Sequence, residues 1–180
     1  MVFSQAYTEM INRANSRCNL DGQRSYPLPC LEIFLLDQAE KKAKDKEATV
    51  FGQLIDIFDW KLTRKQRKTY LKALSLGMTL VLTDLSKTIL WASHSFLSMT
   101  GYTTAEAVGR TPKFLQGADT SHFELSRIRK HLRQATSIEA SLVNYRKGGE
   151  PYQCQVAIDP LRNSQGELTH FIAIESEVMV

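Results

Sequence analysis

Apolar positions change their rhythm at Gly77, from helical spacing before it to short alternating runs after it. From Leu31 to about Trp60 no proline interrupts the chain. Apolar residues recur there as Leu36, Ala39, Ala43, Val50, Leu54 and Phe58, at intervals of three, four and seven, which is the spacing of one helix face. One or two amphipathic helices are expected. Lys41 to Glu47 is almost wholly charged and reads as a solvated face or a bend. Upstream, Met10, Ile11 and Ala14 suggest a helix over Tyr7 to Arg17, ahead of a turn-rich Asn19 to Gly22 and the breaks at Pro27 and Pro29. Thr63 followed by Gln66 has the form of a capping box, with Tyr70, Leu71 and Leu74 as the buried stripe of the helix it starts. Gly77 is placed to end that helix.

Beyond Gly77, Met78 to Asp84 and Thr88 to Ala92 predict two strands joined by Leu85-Ser86-Lys87. Phe96, Leu97, Met99 and Val108 are expected to supply core contacts from short helices. A longer helix over Ser121 to Gln134 would turn Phe123, Leu125, Ile128 and Leu132 inward and leave Arg127, Lys130, His131 and Arg133 wet. Three strands should follow, Ile138 to Tyr145, Tyr152 to Leu161 and Leu168 to Glu175, separated by the turn sequences Lys147-Gly148-Gly149 and Asn163 to Gly166. This order predicts an α+β fold: a five-stranded antiparallel sheet with helices on one face, plus an N-terminal helical extension. The expected division is 1–75 for the extension and 76–180 for the sheet domain.

Composition narrows the function. A chain of 180 residues suits one domain of about 100 to 150 residues with an addition. Its longest apolar runs fall far short of the roughly 20 residues of a membrane helix. The start Met1-Val2-Phe3-Ser4-Gln5 lacks the charge and apolar core of a signal peptide, so a cytoplasmic location and no membrane partner are expected. Cys18, Cys30 and Cys154 are odd in number and widely spaced, as reduced thiols would be. No two histidines have metal-ligand spacing. Neither a nucleophile with its base nor a phosphate loop stands out, which argues against an enzyme. The net charge of +4 is modest, but Lys61, Arg64, Lys65, Arg67, Lys68 and Lys72 cluster on one short stretch. A solvated face is the plain reading. An acidic protein partner comes next, and a nucleic-acid regulator using this basic helix last, because no aromatic interleaving supports base recognition.

Four pieces of sequence carry a family resemblance: Phe96 with Met99-Thr100-Gly101-Tyr102; Gly109-Arg110-Thr111-Pro112-Lys113-Phe114-Leu115-Gln116-Gly117; Asn144-Tyr145-Arg146-Lys147-Gly148-Gly149; and Gly166-Glu167-Leu168. Together they resemble a PAS domain of the LOV type over residues 76–178. The resemblance implies a flavin site, in which a cysteine at the fourth place of the nonapeptide is joined to the flavin by blue light. Here the fourth place is Pro112, and without a thiol no such bond can form. Gln116 and Asn144 match the family's polar contacts to the ribityl chain and ring edge, and Arg129 its phosphate-pairing arginine. Lys113 stands for a second arginine and loses the bidentate fork. Thr111 and Cys154 each replace an asparagine, and Glu175 replaces a glutamine. Cys154 reads more simply as a small core hydrophobe than as a displaced reactive thiol. His122 and His131 would suit a haem ligand in some PAS domains, but their helix follows the LOV pattern.

The resulting expectation is a non-enzymatic PAS sensory or regulatory module without cysteinyl-flavin chemistry. It would act on a signalling protein partner, as a homodimer, with a small-molecule ligand as an option. No cofactor is the first expectation and FMN the second; a cysteine-less flavin photoreceptor is the alternative function.

Overall fold

The computed structural model describes residues 28–178. The helix expected over Tyr7 to Arg17, and Cys18, lie outside them. The described residues fall in two units, divided between Ala43 and Lys44. The described part of the first is the opening of helix α1 (Leu28–Ile57), where Leu36 of the expected apolar stripe is 69% exposed. One continuous helix, α1, forms where one or two were expected, and Gly52 sits within it in open space.

In the second unit α1 is followed by α2 (Arg64–Ser75), strands β1 (Thr79–Asp84) and β2 (Ile89–Ala92), and short helices α3 (Ser95–Thr100) and α4 (Thr104–Ala107). A 3-10 turn (Pro112–Leu115), helix α5 (His122–Arg133) and strands β3 (Ile138–Tyr145), β4 (Pro151–Arg162) and β5 (Leu168–Glu177) complete it. All neighbouring strands are antiparallel, in the order β2-β1-β5-β4-β3. The α+β fold with a five-stranded antiparallel sheet is therefore as expected. Thr63 and Gln66 form the capping box of α2 in both directions, and Gly77 follows its end at φ +76°.

Period-two alternation sends successive side chains of the central strand β5 to opposite faces. Ile172 and Ile174 stand beside Leu82 and Leu80 of β1 on the outer face, while Phe171, Ala173 and Glu175 stand beside Thr83, Val81 and Thr79 on the inner one. The inner face carries α3, α4, the 3-10 turn and α5 through Phe96, Ala107, Leu115, Leu125 and Ile128. The outer face is also covered. Phe51 of α1 and Tyr70, Ala73 and Leu74 of α2 pack on Leu80, Leu82, Leu161 and Ile172. The Phe51 and Tyr70 rings meet edge to face at 5.7 Å, and the Tyr70 hydroxyl donates to Asp159 Oδ2 at 2.9 Å. Burial and that carboxylate both push the Tyr70 phenol up, so it remains a donor. At the end of α1, Trp60 Nε1 donates to His170 Nδ1 at 3.2 Å. Burial pulls that imidazole below its ordinary value.

Several apolar residues are not where spacing put them. Phe123 is 71% exposed, Leu97 41% and Val108 46%. Phe123 precedes Leu125 by two residues, about 200° around a helix, so only one of the two can face the sheet. Leu125 and Ile128 take that place. Among the described residues of α1, Phe51 is fully buried, and the expected stripe omits it.

Phe51→Ala should lower unfolding stability by about 3 to 5 kcal/mol, the usual cost of emptying a buried aromatic site. Urea denaturation followed by circular dichroism would show it. The helical and sheet signals should fall in one shifted transition, and an unchanged sheet transition would mean that α1 does not belong to this core.

Candidate functional site

The inner face of the sheet does not close completely against its helices. A cavity of about 410 Å³ remains between β1, β3, β4 and β5 on one side and the 3-10 turn and α5 on the other. Gln116, Arg129, Asn144, Lys113, Cys154 and Glu175, the six positions singled out from the sequence, all line it, and so do Thr111 and Pro112.

The nonapeptide is held by both ends. Gly109 N–H donates to the Ile89 carbonyl at 2.9 Å and Ile89 N–H to the Arg110 carbonyl at 2.8 Å, which ties it to β2. The Arg110 guanidinium lies 3.9 Å from the centre of the Phe114 ring, and that ring meets Tyr102 edge to face at 4.9 Å. At the other end a Cβ on Gly117 would overlap the Tyr145 ring. Only glycine fits there. The Tyr145 hydroxyl reaches past it to donate to Asp119 Oδ2 at 2.7 Å, and Thr120 Oγ1 donates to the Val143 carbonyl at 2.6 Å. Pro112 opens the 3-10 turn, where its fixed φ fits and no N–H is needed.

The other sequence motifs meet as well. Lys147 N–H donates to the Thr100 carbonyl at 2.9 Å, and Lys147 Nζ lies 2.5 Å from Glu106 Oε1. That lysine and the Thr103 capping box hold the Glu106 carboxyl at about 2, well below the usual carboxylate range. Arg146 donates to the Met99 carbonyl and, at 2.6 Å, to Glu177 Oε1. These contacts hold the turn after β3 to α3 and α4.

The cavity has two chemically distinct sides. Lys113 and Arg129 are exposed, and neither forms an ion pair with a carboxylate among the described residues. Lys87, at φ +69° in the β1–β2 hairpin, adds a third cation that sequence reasoning missed, because only the fold carries that turn to the cavity. The buried side is polar but nearly uncharged. Asn144 and Cys154 are buried, and burial pushes the Cys154 thiol well above its ordinary value, as befits a core residue rather than a nucleophile. Glu175 is 8% exposed, and its Oε2 has no hydrogen-bond partner. Loss of hydration pushes its carboxyl up to about 7. The Tyr152 hydroxyl, whose pKa is also raised by burial and by the nearby Cys154 and Glu175, is likewise unpartnered. His122 and His131 are not among the residues lining the cavity, which gives the haem reading no support.

A five-stranded antiparallel sheet closing over helices around an internal cavity defines an α+β domain of the PAS type. The chain belongs to the PAS domain family, whose model matches residues 75–178. Phototropin-2 of Oryza sativa subsp. japonica is 38% identical over 107 residues, 58% of this chain and 12% of that protein. Blue light receptor lreA of Aspergillus flavus is 30% identical over 144 residues, 72% of this chain and 16% of the receptor. This chain thus spans under a fifth of the length of either. Among solved structures, a light-oxygen-voltage domain studied with a flavin analogue aligns at TM-score 0.57 and 32% identity, over 62% of this chain and 85% of that one. The light-state dimer of the fungal photoreceptor Vivid aligns at 0.54 and 28%, over 56% and 78%. These likenesses do not support the expectation that no cofactor is the first choice. None of the helices among the described residues is long and apolar enough to cross a membrane.

Glu175 also makes stability depend on pH. Its folded value lies above the unfolded one, so its contribution is intact below about 4.5 and is lost as pH rises to about 7. The stability advantage of Glu175→Gln over the wild type should therefore grow by on the order of 3 kcal/mol between about pH 4 and pH 8. Thermal melts of both proteins across that range check the sign and size.

Proposed function

We propose that residues 75–178 act as a LOV-like PAS sensory module that binds a flavin-class ligand, FMN foremost, and works without a cysteinyl adduct. The observation that carries this reading is the two-sided cavity. Its volume falls in the range of about 300 to 1,000 Å³ usual for small-molecule sites. Its exposed cations suit a phosphate, and its buried polar groups suit the edge of a heteroaromatic ring. Bound flavin would supply absorption of blue light and redox chemistry.

The residues of the chain would do the rest. Lys113 and Arg129 would pair with the phosphate, with Arg129 able to offer two parallel donors. Gln116 and Asn144 would hydrogen-bond the sugar-alcohol chain and ring edge. Val81, Leu115, Leu125 and Ile128 would exclude water. Pro112 occupies the fourth place of the nonapeptide, so no sulfur is available there. Cys154 remains a wall residue.

Output would pass through β5, whose side chains alternate between the cavity and the helices α1 and α2. A ligand that favours one placement of those helices by about 1 to 3 kcal/mol would suffice. The module itself is non-enzymatic in this reading and acts on a signalling protein partner, in the cytoplasm and as a homodimer, with 1–75 as its extension and 76–180 as its sensor.

Absorbance and mass spectrometry of the purified protein test the ligand. About one FMN per chain, with a structured blue-absorbing band that survives illumination, is expected. Replacing both Lys113 and Arg129 by alanine should weaken FMN binding by about tenfold or more, the size of a lost charged hydrogen bond, and leave riboflavin binding unchanged. Equal losses for the two ligands would remove the phosphate role.

A further inference from the structure

Glu175 is a poor residue to bury without a purpose. It is the one carboxylate among the described residues that lines the cavity, and one of its oxygens has no partner. Two discrete states are open to such a group. Neutral, it has an O–H to donate. Ionised, it can only accept and would repel a ring edge that also presents acceptors.

The groups around it leave the choice to the proton. On β1 its register partner is Thr79, and on β4 it is Val156, with Cys154 and Tyr152 further along the same face. Burial keeps the Cys154 thiol and Tyr152 phenol protonated through neutral pH. β3 contributes the uncharged Asn144, and Gln116 follows the end of the 3-10 turn. Lys113, Arg129 and Lys87 belong to the exposed side, and desolvation by burial is what raises the Glu175 carboxyl. Glu177, two residues along β5, is engaged by Arg146.

Resting on the flavin reading above, we propose that Glu175 gates the cavity by its proton. Neutral Glu175 donates to an acceptor on the edge of the bound ring, and ionised Glu175 expels that edge, so occupancy falls as pH rises. The domain would thus report proton activity together with its ligand. The proton simply exchanges with solvent, and no other bond is made or broken.

The test uses the full chain stripped of ligand and titrated with FMN, with binding read from quenching of flavin fluorescence at about pH 6, 7 and 8, beside Glu175→Gln. The glutamine keeps the size and a donor but cannot ionise. The phosphate of FMN titrates near pH 6 in both proteins, so the ratio of the two dissociation constants isolates Glu175. That ratio, wild type over variant, should rise about tenfold from pH 6 to pH 8 if binding requires one proton on a group that titrates at about 7. Infrared spectra should show a protonated carboxyl band in the wild type at pH 6 that fades by pH 8 and is missing from the variant. A ratio that stays constant, or a wild type without that band, overturns the gate and leaves the flavin reading standing. If neither protein binds FMN at any pH, the flavin reading fails and takes the gate with it.

Discussion

The register of β5 is the constraint from which the other features follow. It is the central strand, hydrogen-bonded to β1 on one side and β4 on the other, and both of its faces are used. Ile172 and Ile174 complete the outer core under α1 and α2, while Phe171, Ala173 and Glu175 form the floor of the cavity. A slip of one residue would exchange those sets, putting Glu175 beneath the helices and the isoleucines into the cavity. Hydrophobic burial on the outer face therefore fixes which residues any ligand meets on the inner one.

That coupling explains how a costly carboxyl persists. Glu175 cannot turn toward water without moving a strand whose other face is packed on Tyr70, Leu74 and Phe51. The energy that holds it comes from a core it does not touch. The exposed cations show the complementary logic, since Lys113 sits on a short turn and Arg129 on a helix face, where charge is cheaply hydrated until an anion arrives. One side of the cavity is preorganised by burial and the other by solvation.

Much of the frame is legible in the sequence. Strand alternation, the Thr63–Gln66 capping box and the glycine-rich turns are local signals, and they appear where spacing puts them. The family resemblance named six positions that the fold then gathers around one cavity. Local signals fail where partners are distant. Phe51 is fully buried only because β1 and α2 come to it, and Lys87 joins the cavity only because its hairpin folds over the inner face. Phe123 is apolar and sits on an amphipathic helix, yet it points to solvent because the sheet meets the other side of that helix.

The chain's residues alone settled the order of helices and strands, the PAS-like frame and the lack of sulfur at position 112. Those depend on covalent identity and on neighbours a few residues away, which a linear pattern records. Only the tertiary structure decided that both faces of the sheet are covered, that the six positions converge, and that burial raises the Glu175 carboxyl. Ionisation of a side chain depends on the water it has lost and the charges beside it, and both are set by parts of the chain far from it in sequence.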